Sequence, residues 1–128
     1  MPSVDTLLND AQWRRAWRGL LFFMLLAVAW LAFTSNPPRN PLVQSDKINH
    51  LLAFSSLAVA AAFAVAPGAH RLALAALGLL AYGGMIEIVQ SQLPYRSGEW
   101  LDLLADAVGI ALGLALATAL RLRHPPCV

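Results

Sequence analysis

Four long apolar runs, each closed by a short polar stretch, constrain this chain more than any other feature, because runs of that length must be covered by protein or by lipid. They cover Gly19 to Phe33, Ile48 to Val65, Leu72 to Val89, and Trp100 to about Leu122. Cover by protein alone fails on size. In 128 residues, 59% hydrophobic and 12% charged, there is too little polar surface to wrap a soluble fold around four such helices. The expected fold is all-α: an integral membrane four-helix bundle in one domain, residues 1–128, with spans at about 19–33, 48–65, 72–89 and 100–122.

The punctuation between the runs supports this reading. Trp13, Arg14, Arg15, Trp17 and Arg18 form a basic, aromatic approach to the first run, and Thr34, Ser35, Asn36, Pro37 and Pro38 end it. That run is short for a hydrocarbon layer of about 30 Å unless Trp17 and Thr34 sit in the interfaces. Ala27, Val28 and Ala29 spell a small-x-small cleavage site, but apolar residues continue to Phe33, which favours an uncleaved anchor. Ala66, Pro67 and Gly68 make a tight turn after the second run. Gln90 to Gly98, with Pro94, forms a polar loop, and Arg123, His124, Pro125 and Pro126 stop the fourth run. Gly109, Gly113 and Ala117 form a small-residue ladder suited to close helix packing.

Basic residues are retained on the cytoplasmic side of spans. Arg14, Arg15, Arg18, Arg71, Arg121 and Arg123 fall on one side, against Arg39, Lys47 and Arg96 on the other. Both termini are therefore expected in the cytoplasm, with the loops at 34–47 and 90–99 facing outward. The pI near 9.2 is read as this topology signal, and no nucleic-acid partner is expected. The single cysteine, Cys127, allows no intrachain disulfide and leaves a prenylation signal incomplete.

If the spans alternate in direction, most polar residues meet at the outward end. Asp46 and Lys47 lie on one helix face with His50; Glu87 and Gln90 are three apart; Glu99, Asp102, Asp106, Gly109 and Gly113 step by three or four. Asp106 lies about 9 Å below Trp100 along the helix axis, where a lipid-facing carboxylate costs several kcal/mol, so it must face the bundle. The expectation is an outward pocket of Asp46, Lys47, His50, Glu87, Gln90, Arg96, Asp102 and Asp106. With Glu99 it holds five acids against two fixed bases, so a protonated His50, a neutral acid or an external cation must complete it.

One histidine with carboxylates from separate helices gives no recognised metal-ligand spacing, and no metal or cofactor is expected. Ser55 and Ser56 lie deeper on other faces, and Ser91 or Ser97 could approach His50 only by loop folding, so nucleophilic catalysis has weak support. An acid/base pair of Glu87 with His50 or Asp106 is chemically reasonable, and those three are the catalytic candidates if the chain is an enzyme.

Asp46-Lys47 with His50 and Phe54, Glu87-x-x-Gln90, Arg96, and Asp102-x-x-x-Asp106-x-x-Gly109-x-x-x-Gly113 together resemble the VanZ-like family over roughly residues 40–118. Asp106 departs from the pattern, since many relatives carry Asn there. The resemblance implies a multi-pass protein of the bacterial cytoplasmic (inner) membrane, in a family whose founding member is associated with resistance to the glycopeptide teicoplanin. Drugs of that class act on lipid-linked wall precursors outside the membrane. Membrane lipids, including a lipid-linked peptidoglycan precursor, are then the expected partners, with Lys47 and Arg96 meeting phosphate. The alternatives are a membrane enzyme acting on such a lipid, a structural subunit forming homo- or hetero-oligomers through its small-residue faces, and an ion conduit. The last is disfavoured because the acids sit at one end and no polar residues continue through the cytoplasmic half of the spans.

Overall fold

The structure, a computed structural model, describes residues 1–36 and 46–125; Pro37, Pro38, Arg39, Pro126 and Cys127, which entered the reading above, lie outside the described residues. It is all-helical: α1 Val4–Asn9, α2 Ala11–Phe33, α3 Asp46–Ala64, α4 Ala69–Gln92 and α5 Trp100–Arg123. The last four are each long and apolar enough to cross a membrane.

Helix α2 begins at Ala11, well ahead of the apolar run at Gly19. Hydropathy reports which part of a helix sits in hydrocarbon, and Arg and Trp extend a helix through the interface without adding to that signal. Ahead of it, Ser3 caps α1 by accepting from the Thr6 N–H at 3.3 Å. Helix α1 folds against α2, where Trp17 Nε1 donates to Leu7 O at 2.9 Å and an Arg14 guanidinium nitrogen to Asn9 O at 3.2 Å.

The helices run alternately up and down. His124 and Asp5 meet at one end, and Glu99 and Glu87 at the other. The chain reverses between α3 and α4 at Gly68, whose φ of 144° lies outside the range of most L-residues.

Packing is closest between α3 and α5. A Cβ placed on Gly109 would come within 2.6 Å of Leu51 O, and one on Gly113 would collide with Ser55 O. Lipid supplies no hydrophobic drive between helices, so close backbone approach supplies van der Waals contact instead. Small residues on α3 complete the fit, with Ala58, Ala60, Ala61, Ala62 and Ala64 buried around Phe54, Leu57 and Phe63. On the opposite face of α5, Leu104, Val108, Leu112 and Leu116 recur every fourth residue and point outward, an apolar stripe that suits lipid contact. Helix α2 contributes no buried residue, and an open apolar cleft of about 390 Å³ separates its Leu21 and Leu25 from Ala61, Leu79 and Tyr82.

Candidate functional site

Four side chains from three helices meet at the end away from the termini. The start of α3 supplies His50, the end of α4 supplies Glu87, and the start of α5 supplies Asp102 and Asp106. His50 is the hub. Its Nδ1 shares a hydrogen bond with Asp106 Oδ1 at 2.8 Å, while its Nε2 lies 3.8 Å from Glu87 Oε1 and 3.9 Å from Asp102 Oδ2. Phe54, one helical turn below, lies parallel to the imidazole with ring centres 6.4 Å apart.

Asp106 is fully buried, and Gly83 of α4 makes room for it. A Cβ at position 83 would stand 2.5 Å from Asp106 Oδ2 and 3.2 Å from Phe54 Cζ. The second glycine of that pair, Gly84, faces open space.

At the mouth, Lys47 Nζ bonds Glu99 Oε2 at 2.9 Å and lies 3.7 Å from Asp102 Oδ1. Glu87 Oε2 accepts the Glu99 N–H at 3.0 Å, tying the end of α4 to the cap of α5. A carboxylate there also faces the positive end of the α5 dipole, as does Asp102 in the first turn. Even so, Glu87 Oε1, Asp102 Oδ1 and Asp106 Oδ2 are buried with no hydrogen-bond partner among the described residues. A buried acceptor left in that state costs about 1–3 kcal/mol.

The eight residues anticipated for the pocket divide into two groups and a remainder. Lys47, His50, Glu87, Asp102 and Asp106 converge, joined by Glu99. Gln90 and Arg96 turn instead to α2, where Gln90 Nε2 donates to Ala32 O at 3.0 Å, and Arg96 Nη2 to Leu31 O at 2.9 Å and Thr34 O at 3.2 Å. With Tyr95 Oη donating to Phe33 O at 2.8 Å, they satisfy carbonyls that the last turn of a helix leaves without intrahelical donors. Asp46 is exposed in the first turn of α3 and forms no ion pair among the described residues. Ser55, Ser56 and Ser91 donate to Leu51 O, Leu52 O and Ile88 O within their own helices, so none is directed at His50.

One grouping was invisible to spacing along the chain. His50, Glu87 and Asp102 each present a ligand atom within 4.8 Å of the other two, an arrangement able to hold a metal ion. Because each comes from a different helix, only a knowledge of helix rotation would have exposed it.

Compared with known proteins, the chain matches the family model described as VanZ/LLP1 over residues 4–121. Neither a curated protein nor a solved structure matches it.

Proposed function

This chain belongs to the VanZ/LLP1 family, a multi-pass membrane protein by its four apolar helices, and on that premise we propose that it holds the head group of a polar lipid in the His50 cluster. The membrane is the bacterial inner membrane. Both termini lie in the cytoplasm, where six of the nine basic residues fall, so the cluster opens to the outer leaflet. The ligand class is a lipid-linked wall precursor or a related polar lipid, and envelope behaviour, including teicoplanin susceptibility, is the physiological readout.

One observation carries this reading: a half-buried His50 ringed by Glu87, Asp102 and the fully buried Asp106, with three acceptor atoms unsatisfied among the described residues, in a chain whose spans are otherwise apolar. Intramembrane ionisable groups are costly, and they persist chiefly where they meet a ligand or one another. Lys47, 45% exposed in its side chain, stands at the mouth where a phosphate would arrive. The carboxylates meet amine or hydroxyl groups.

Native mass spectrometry of protein released gently from membranes tests the proposal. Wild type should retain one head-group class that both Glu87→Gln and Lys47→Glu lose. The same lipid complement in all three samples would sink it.

A second reading, catalysis, is favoured by the hydrogen-bonded His50–Asp106 pair, which holds the imidazole with its other nitrogen toward Glu87. An oriented imidazole between carboxylates is equipped to move protons. Turnover of the retained lipid by wild type and not by Glu87→Gln would support it, whereas binding without turnover counts against it.

A further inference from the structure

We propose that His50 Nε2, Glu87 and Asp102 bind a divalent transition-metal ion, with Asp106 holding the imidazole from behind. This inference rests on the cluster being a ligand site and goes beyond the lipid reading in naming an inorganic ligand.

The geometry comes first. At 3.8 and 3.9 Å, the contacts of His50 Nε2 with Glu87 Oε1 and Asp102 Oδ2 are too long for hydrogen bonds. They nevertheless surround a common point. Metal–ligand distances of about 2.0–2.2 Å separate neighbouring ligand atoms by about 3.0–3.6 Å, so each His50 contact needs to contract by only a few tenths of an ångström, and the carboxylate pair starts within 4.8 Å.

The unsatisfied atoms supply the second, independent sign. Glu87 Oε1, the atom that faces His50 Nε2, has no hydrogen-bond partner among the described residues; Asp102 is only 5% exposed, with Oδ2 facing the imidazole and its unpartnered Oδ1 on the Lys47 side. The nearest cation, Lys47, makes its short bond to Glu99 and stands 3.7 Å from Asp102. Acceptors gathered in this way lack a cation rather than further acceptors.

The second shell is already in place. Metal-bound histidines commonly donate their other ring N–H to a carboxylate, which fixes the tautomer and aims the free lone pair at the metal. The Asp106 Oδ1 to His50 Nδ1 bond at 2.8 Å has that arrangement, and Gly83 provides the space that keeps Asp106 there. A donor set of one imidazole nitrogen and two carboxylates suits Zn²⁺, Mn²⁺ or Co²⁺, and three protein ligands leave positions for water or a phosphate oxygen.

The test uses the full chain in detergent, stripped with chelator, titrated calorimetrically with Zn²⁺, and examined by zinc-edge X-ray absorption. Wild type should bind one equivalent with a mixed imidazole and oxygen shell. Asp102→Asn and Glu87→Gln should weaken binding at least 100-fold, and Asp106→Asn about 10–100-fold as a supporting residue. His124→Ala, at the other end of the bundle, should change nothing. Failure of wild type to bind at micromolar Zn²⁺, an oxygen-only shell, or binding lost with His124→Ala and kept in Asp102→Asn would each overturn the site. Should Asp102→Asn fail to fold, Glu87→Gln and the wild-type spectrum still decide. Lipid retention measured on the same stripped protein separates the two proposals: lipid without zinc binding removes the metal site alone, and zinc binding without lipid removes the lipid reading alone.

Discussion

Both ends of the bundle close a helix with side-chain donors, Arg18 and Arg121 on α3 and Gln90 and Arg96 on α2, but they differ in the polar residues left over. At the end carrying the termini, cations go to backbone acceptors. Arg18 Nε donates to Ala64 O at 3.0 Å, and Arg121 Nη2 to Ala62 O at 2.8 Å and Val65 O at 3.2 Å while its guanidinium stacks 5.2 Å over Phe63. Those carbonyls close α3, where the helix itself offers no donors. Asn9 Nδ2 likewise donates to His124 O at 2.7 Å, and His124 pairs with Asp5 at 2.9 Å. At the opposite end acids collect around one imidazole. Among the described residues, the unsatisfied buried side-chain atoms there are all acceptors, whereas at the termini end they are the donors Trp13 Nε1 and Arg121 Nε. Polarity at the termini end serves the fold, and at the other end it exceeds what the fold needs.

That contrast can be broken by substitution. The largest effect on stability is expected from Arg121→Ala, which strips the carbonyls of Ala62 and Val65, at the end of α3, of a charged donor and removes the Phe63 contact. It should cost about 3 kcal/mol in denaturant titrations in detergent while leaving retained lipid unchanged. A variant that lost lipid with little change in stability would erase the distinction between the ends. Gly83→Ala should cost less, about 2 kcal/mol from overpacking, but it should also lower lipid and zinc retention because the new methyl displaces Asp106 from His50. Full retention would mean that the Asp106 position is not needed. Smallest in stability is Asp106→Asn, expected to raise that of the metal-free protein by about 1 kcal/mol, because it relieves one of three carboxylates crowded around His50 while the amide oxygen can still accept from Nδ1. A fall as large as that of Arg121→Ala would show that Asp106 is a structural clamp.

Much of this was readable from residue patterning. Hydrophobic runs located the helices, and alternation of their direction placed His50, Glu87, Asp102 and Asp106 at one end. Arg96 and Gln90 show where patterning stops. Their partners are the carbonyls of Leu31, Ala32 and Thr34, which every sequence possesses and none advertises, so patterning places both residues in the pocket and assigns Arg96 to phosphate. The metal-type triad was hidden for a related reason, since it depends on the rotation of α3, α4 and α5 about their axes. Helix α2 exceeded its apolar run because interfacial Arg and Trp are helical without being apolar.

Helix α2 has no buried residue, and four side chains of α4 and the following loop grip it by its main chain: Tyr82 on Leu25 O, Gln90 on Ala32 O, Tyr95 on Phe33 O, and Arg96 on Leu31 O and Thr34 O. A clasp on main-chain oxygens is indifferent to spelling. Any apolar segment ending at the same height offers those oxygens, so the part of α2 beyond Trp17 and Arg18, whose side chains bond Leu7 O and Ala64 O, can drift in sequence while α3, α4 and α5 stay bound to their wording.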